Sequence, residues 1–342
     1  MNLKNLSVAN KIHNKLLKTL NNKKLKKFFL DFKKNLNINS SFAVGVSGGA
    51  DSLATAYLSK IYAIQFGLKV KFFIVDHKLR PNSTEEAQYV RRLLKKSFIE
   101  AKILTWKGKK PTSNIQAKAR EKRYELILNE CKKLNINHLV IGHHLEDKLE
   151  NFILRLTRGS GLRGLVSFQK KTSINKINIE RPCLDLKKKN LIYIANYIFK
   201  EFIKDPSNDN QDFKRVRVRK LLENLSLEGL DQNKLDITIN NLSYSNKAIK
   251  YAVDENINKN IFYSKKRKSM YLNKTFFECA DEIKFRSLSK CIREQGNKYY
   301  FARAEKIKRI LNLVSSNKEF KTTLGGCIIK KTNNTVIIKE EI

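Results

Sequence analysis

The stretch SFAVGVSGGADSLATAYLSKIYA, from Ser41 to Ala63, breaks a short apolar run on two glycines and an acid before a helical repeat begins. FAVGV reads as a buried strand, and the residues from about Ser52 to Phe66 have the apolar spacing of a helix. Between them lie Ser47, Gly48, Gly49, Ala50, Asp51 and Ser52. Glycines permit positive φ and let a ligand approach the main chain with no Cβ in the way. The N–H groups of such a turn, backed by a helix N-terminus, form a nest for phosphate or pyrophosphate. Ser47 and Ser52 can add hydroxyl donors. Asp51 belongs at an anion site only if a divalent cation mediates, which makes it a candidate Mg2+ ligand through pyrophosphate. The pattern is neither G-x-x-x-x-G-K-[ST] nor G-x-G-x-x-G. A glycine turn with an Asp or Ser N-cap and no ligand is the plainer alternative.

Working outward, strand and helix signals alternate. KVKFFIVD is a second strand ending at Asp76, followed by a loop and a helix opened by the capping pattern Ser83-x-x-Glu86. AKILTW is a third strand and SNIQAKAREKRYELILNECKKL a long amphipathic helix. HLVIG is a fourth strand and EDKLENFILRLTR a further helix. Four strand–helix units in a row predict an α/β fold with a doubly wound, mostly parallel sheet, in which ligands sit at the carboxyl ends of the strands. Beyond Arg181 the order weakens: KKKNLIYIANYIFKEF reads as a helix, DPSNDNQ as a turn-rich loop and FKRVRVRKLLENL as a basic segment entering a helix. SLEGLDQNK marks a boundary. The expected domains are 1–225, catalytic, and 226–342, a smaller α+β domain of helices followed by β segments.

The 342 residues carry 70 Lys+Arg against 32 Asp+Glu, a formal charge of +38 that favours a polyanionic partner, nucleic acid before membrane. The Lys, Asn and Ile bias also fits AT-rich coding DNA. No window is long and apolar enough to span a bilayer, and the N-terminus lacks a signal-peptide core, so a cytoplasmic protein is expected. The five cysteines contain no CxxC, and neither zinc nor iron–sulfur spacing is present.

Several later residues invite chemistry. Asp147 and Glu150 are three apart on a helix and point the same way; they suit a cationic substrate, a magnesium ion or proton transfer, or else a solvated face. His143 and His144 follow the fourth strand, and the HHxxD spacing to Asp147 is a weak metal signal, better read as ordering a loop or a nucleotide pocket. Arg158 and Arg163, in RGSGLRGL, belong to a loop that faces RNA or substrate. Arg215, Arg217 and Arg219 alternate with valines; they would share a face on a strand and scatter on a helix, and in both cases suit phosphate contacts.

SGGADS after the first strand resembles the loop of the N-type ATP pyrophosphatases, the PP-loop superfamily with its Rossmann-like sheet, which cleave ATP to AMP and pyrophosphate. VDHKLRPNSTEEAQYV, SNIQAKAREKRYELI, IGHHLEDKLENFILRLTRGSGLRGL and DPSNDNQDFKRVRVR, in that order, resemble the tRNA(Ile)-lysidine synthetase family in particular, over about Phe42 to Leu222. That resemblance implies a ligase. With ATP and Mg2+ it adenylates the C2 oxygen of the wobble cytidine in a CAU anticodon of tRNA(Ile), and free L-lysine then displaces AMP. It implies Asp147 and Glu150 as lysine-site or catalytic acids, Arg120 before Arg123 as the brace of the reacting phosphate, and Ser47–Ser52, Asp76, His77 and His143 as ATP contacts. The arginines of the 158–163 loop and of the KRVRVRK segment fall to tRNA. The sequence departs from the family pattern at Val216, where Asn is expected. The 226–342 region resembles a tRNA-binding C-terminal domain of the family's short form, whose tRNA contacts or homodimer formation the sequence leaves open. A tRNA thiolase of the same superfamily is the competing enzyme reading, and the missing CxxC speaks against it. A glutamine amidotransferase or an RNA-binding protein with a decayed ATP site are the remaining alternatives.

Overall fold

The computed structural model describes residues 3–108, 115–203, 212–298, 301–316 and 318–341; the DPSNDNQ loop lies outside them. Two helices that the sequence reading had not assigned come first, α1 (Leu3–Lys18) and α2 (Lys23–Asn35). Asn22 caps α2 by accepting from the amides of Lys24 and Leu25, and Leu25, Phe29 and Phe32 put one apolar stripe into the core. The expected alternation follows: β1 (Phe42–Val46), α3 (Ala50–Gln65), β2 (Val70–Asp76), α4 (Ser83–Lys96), β3 (Ala101–Thr105), α5 (Ile115–Lys133), β4 (His138–Val140) and α6 (Leu145–Leu156). A short α7 (Leu162–Leu165) leads to a hairpin, β5 (Lys171–Ile174) and β6 (Ile177–Glu180), then α8 (Lys188–Phe199), α9 (Lys214–Leu227) and α10 (Gln232–Asn260).

The sheet runs β3-β2-β1-β4-β6-β5 and is parallel except where β5 pairs with β6. It therefore has six strands where four were read. The hairpin escaped notice because its turn, Asn175-Lys176, reaches positive φ at both residues without a glycine. Strand alternation divides the core in two. Phe42, Val44, Phe72 and Ile74 pack with helices α2, α3, α4 and α8 on one face, while Ala43, Phe73 and Leu139 pack with Ile127, Leu128 and Cys131 of α5 on the other. Connections on either side of β1 run outward in opposite directions, so the carboxyl end of β1 is the switch point at which such sheets bind ligands.

The Ser83 capping box does not form. Asn82 occupies the N-cap position of α4, and the Ser83 hydroxyl is drawn instead to the buried Asp76 carboxylate, 2.9 Å away.

The chain divides into two compact units, Met1–Ile237 and Thr238–Ile342, with the division inside α10. The second unit contains β7 (Ile261–Ser264), β8 (Ser269–Leu272), α11 (Asp281–Gln295), α12 (Ala304–Ser315), β9 (Phe320–Leu324), β10 (Cys327–Thr332) and β11 (Thr335–Glu340). Its strands form an antiparallel sheet, β7-β8-β11-β10-β9, and Leu272, Leu288, Ile292, Ile307, Ile329 and Ile338 make its core. Gly325 and Gly326, both at positive φ, close the two-residue turn between β9 and β10.

At Gly142, just past β4, an added Cβ would stand 2.8 Å from the Asp51 carbonyl oxygen and 2.9 Å from Thr55 Oγ1, whereas at Gly161 it would meet nothing. Gly142→Ala is expected to lower the stability of the first unit by about 1–3 kcal/mol, and Gly161→Ala to leave it unchanged, as read from urea unfolding midpoints.

Candidate active site

The β1–α3 turn is held by a single hydroxyl. Ser52 Oγ accepts from the amides of Ser47 and Gly48, each at 3.1 Å, and donates to the Gly49 carbonyl at 3.0 Å. Ser47 Oγ lies 3.2 Å from the same oxygen. Gly48 adopts φ +91°, and its carbonyl accepts from the Ile203 amide at 3.0 Å. Ser52 thus shapes the loop from within. The amides left for an anion are those that open α3, from Ala50 through Ser52, which have no carbonyl one turn earlier in the helix. Gly49 is the N-cap residue, so neither Asp51 nor Ser52 takes the capping role that the plainer alternative required.

A cavity of about 380 Å3 opens on this turn, within the size range of small-molecule sites. Ser47, Gly49, Asp51 and Ser52 line it from the loop; His77 and Arg80 from the segment after β2; Arg120, Arg123 and Tyr124 from α5; His143 and Asp147 from the β4–α6 junction; and Arg215 from α9. The cavity therefore gathers residues that are distant in sequence. Arg120 and Arg123 both reach it. Arg120 is exposed, with its guanidinium 5.5 Å from the Tyr124 ring centre.

Other expected residues have different surroundings. Asp76 is buried and saturated by its own loop: Ser83 Oγ and the Lys78 amide donate to Oδ1, and Thr84 Oγ1 donates to Oδ2. Burial alone would raise its pKa; these hydrogen bonds reverse that and hold it below the usual carboxylate value. Asp147 turns back to accept from the His144 amide at 3.1 Å, whereas Glu150 is buried and paired with Arg219, Nε to Oε1 at 2.5 Å. Sharing a helix face did not give the two acids the same partner. The three arginines of KRVRVRK scatter, as a helix requires. Arg215 lines the cavity, Arg217 is exposed and donates to the Asp212 carbonyl, and Arg219 holds Glu150. Arg158 is exposed in the turn after α6 and Arg163 is half-buried in α7; neither is among the described residues lining the cavity.

The two adjacent histidines diverge. His144 Nδ1 lies 3.0 Å from Glu146 Oε2, and its Nε2 lies 3.5 Å from both Asp51 Oδ2 and Asp147 Oδ2. Burial would depress its pKa, but the hydrogen bonds to Asp51 and Glu146 and the charge of Asp147 outweigh that and raise it to about 10. His144 is an imidazolium among three carboxylates. The sequence reading had named it without giving it this role, although its place before Glu146 and Asp147 was a signal. His143 faces Arg181, which the reading had missed. Burial, first, and then the charges of Arg181, Arg120 and Arg215 hold His143 well below its ordinary value, so it is neutral.

All five cysteines are free thiols. Burial raises Cys183 and Cys131 to about 12, so both pack as protonated, apolar groups.

The sequence profile of the PP-loop domain matches residues 17–225. A tRNA(Ile)-lysidine synthase from Wolbachia sp. subsp. Brugia malayi (strain TRS) is 32% identical over 315 residues, which cover 89% of this chain and 71% of that protein. The chain belongs to the tRNA(Ile)-lysidine synthase family. Further members of this family are similar over the same span: the synthase of Orientia tsutsugamushi (strain Boryong) is 31% identical over 89% of this chain and 70% of its own length. That of Rhodopseudomonas palustris is 29% identical over 87% of this chain and 90% of its own length. Among solved structures, a U34-tRNA thiolase from Methanococcus maripaludis, which carries a [4Fe-4S] cluster, superposes with a TM-score of 0.56. It covers 64% of this chain and 78% of that one at 18% identity, a likeness of fold. Family membership makes the chain an ATP-dependent ligase of tRNA modification. No helix of the described residues is long and apolar enough to cross a membrane.

Two outcomes follow from this geometry. His144 is raised in the fold, so its stabilisation is complete below about pH 6.5 and is lost as pH rises through about 10. With a chelator present, the urea midpoint of the wild type is expected to fall more between pH 7 and 10 than that of His144→Asn; parallel profiles would contradict the charge assigned to His144. Removing one partner of a buried ion pair costs about 3 kcal/mol or more, so Arg219→Met is expected to lower the midpoint substantially while Arg217→Met leaves it in place.

Proposed function

We propose that this chain joins free L-lysine to C2 of the wobble cytidine in the CAU anticodon of tRNA(Ile), with ATP as co-substrate. The observation that carries the reading is that one cavity holds the opening amides of α3, four arginines and the Asp147 carboxylate. An anionic triphosphate and a cationic amino acid both need partners there. The cytidine C2 oxygen attacks the α-phosphorus of ATP; the new P–O bond forms as the bond to pyrophosphate breaks. The lysine side-chain amine then attacks C2, the C2–O bond breaks, and AMP leaves.

The α3 amides of Ala50, Asp51 and Ser52 receive the pyrophosphate. Arg120 braces the charge that gathers on the α-phosphate, with Arg123 and Arg215 beside it. Asp147 holds the lysine ammonium and takes its proton, since only the neutral amine is a nucleophile. Glu150 reaches the substrate by exchanging Arg219 for the incoming ammonium. His77 and His143 contribute to the nucleotide pocket, and Asp76 acts on it indirectly by fixing the loop that carries His77.

The residues fit a magnesium ion. Asp51 Oδ1 is buried with no hydrogen-bond partner among the described residues, beside the amides that face the phosphates. Magnesium is commonly bound by one or two carboxylates together with substrate phosphates. Asp51 would hold it, and it would offset charge on the departing pyrophosphate. Arg158 and Arg217 meet tRNA phosphates, and residues 226–342 form the second tRNA-binding part.

Purified protein with ATP, Mg2+, radiolabelled lysine and a CAU-anticodon tRNA(Ile) transcript is expected to release AMP and transfer label to the RNA. ATP consumption with no label in tRNA would refute the lysine assignment. Asp51→Asn is expected to lower pyrophosphate release about 100-fold while tRNA binding, measured by filter retention, persists.

A further inference from the structure

Arg181 lies just beyond β6, is 7% exposed, and has a hydrogen-bond partner in Tyr124 of α5. Its Nη1 donates to the Gln169 carbonyl and to Thr172 Oγ1, both at 2.9 Å, and its guanidinium sits 5.0 Å from the Phe168 ring centre. A further contact is the informative one: Nε donates to His143 Nδ1 at 3.1 Å. An arginine Nε always carries hydrogen, so it can only donate, and the nitrogen it meets must offer a lone pair. His143 Nδ1 is therefore bare, and the one proton of the neutral ring resides on Nε2. The same ring is tilted against Phe168 with centres 5.0 Å apart, which fixes its plane from a second side. His143 lines the cavity, and Nε2 is the ring nitrogen left to meet a ligand.

We propose that Arg181 is a positioning residue: it holds His143 in the Nε2–H form, so that the ring gives one uncharged hydrogen bond to an acceptor atom of the nucleotide in the cavity. This rests on reading the cavity as the ATP site. Several arginines line it, and a further cation at His143 would attract phosphate with little directionality. A neutral donor of fixed tautomer discriminates by position instead. The hairpin β5–β6 acquires a function from this, since Gln169 and Thr172, before and within β5, hold the guanidinium that sets the tautomer.

The test is nitrogen NMR of protein labelled with 15N in histidine, the His143 signals being assigned by their loss in His143→Gln. In the wild type at pH 7, His143 is expected to show a bare Nδ1 and a protonated Nε2, with Nε2 moving on addition of ATP. In Arg181→Met that pattern should give way to a mixture of tautomers. The efficiency kcat/KM for ATP should fall about 10- to 100-fold, the usual range for losing the partner that orients a functional histidine. Arg181→Lys, which keeps a donor and the charge, serves if the methionine variant does not fold, and is expected to retain part of the Nε2–H population. Glutamine can place an N–H near the Nε2 position and asparagine cannot, so His143→Gln should keep more activity than His143→Asn. A protonated Nδ1 in the wild type, an unchanged tautomer in a folded Arg181→Met, or ATP binding that leaves Nε2 unmoved would each overturn the proposal. Wild-type protein that holds the tautomer but binds no ATP would overturn the reading of the cavity, a different failure from loss of the tautomer.

Discussion

Two helix N-termini converge on one imidazolium. Helix α3 follows β1 and α6 follows β4, and because these strands are hydrogen-bonded neighbours the positive ends of both helix dipoles meet at the sheet edge. Asp51 in the first turn of α3, and Glu146 and Asp147 in the first turn of α6, offset that field. Three carboxylates so close repel one another in turn, and His144 resolves the conflict by carrying a proton between them. The approach is possible only because Gly142 presents no Cβ to the Asp51 carbonyl. Without this clamp the α3 amides would lose their fixed relation to the residues on α6, and the cavity would lose its two-sided character.

The clamp also bears on the loop ahead of α3. Ser52 spends its hydroxyl on the amides of Ser47 and Gly48, so the turn is shaped before any ligand arrives. A preformed donor set loses little order on binding, which is where much of the cost of association otherwise lies. Asp51 enters the same economy of charge: one carboxylate oxygen faces His144, and the other is buried without a protein partner.

How much of this was legible in the sequence depended on the range of the interaction concerned. The β1–α3 turn and the four strand–helix units could be read because a period of two giving way to one of 3.6 is a local signal. The split of β1 and β2 residues between two cores follows from the same alternation. The β5–β6 hairpin was hidden by a turn made of Asn175 and Lys176, which adopt positive φ although neither is glycine. Ser83 looked like a cap because nothing in its neighbourhood reveals that Asp76, seven residues earlier, would claim its hydroxyl. Arg181 and His143 were harder still, since the only sign of their relation is a contact between the ends of two strands brought side by side by the sheet.

The net charge of +38 says little about the cavity itself. What matters there is where each sign enters: arginines arrive from the β2–α4 segment, α5 and α9, and acids from the first turns of α3, α4 and α6. Helix α9 shows how this sorting is built from spacing alone. Successive residues turn by about 100°, so side chains four apart differ by about 40° and those two apart by about 200°. Arg215 and Arg219 therefore look inward, one toward the cavity and one to Glu150, while Arg217 looks out and Val216 and Val218 fill the flanks. The helical state of KRVRVRK thus sets one arginine at the cavity and one on the buried Glu150, and leaves Arg217 on the exposed side.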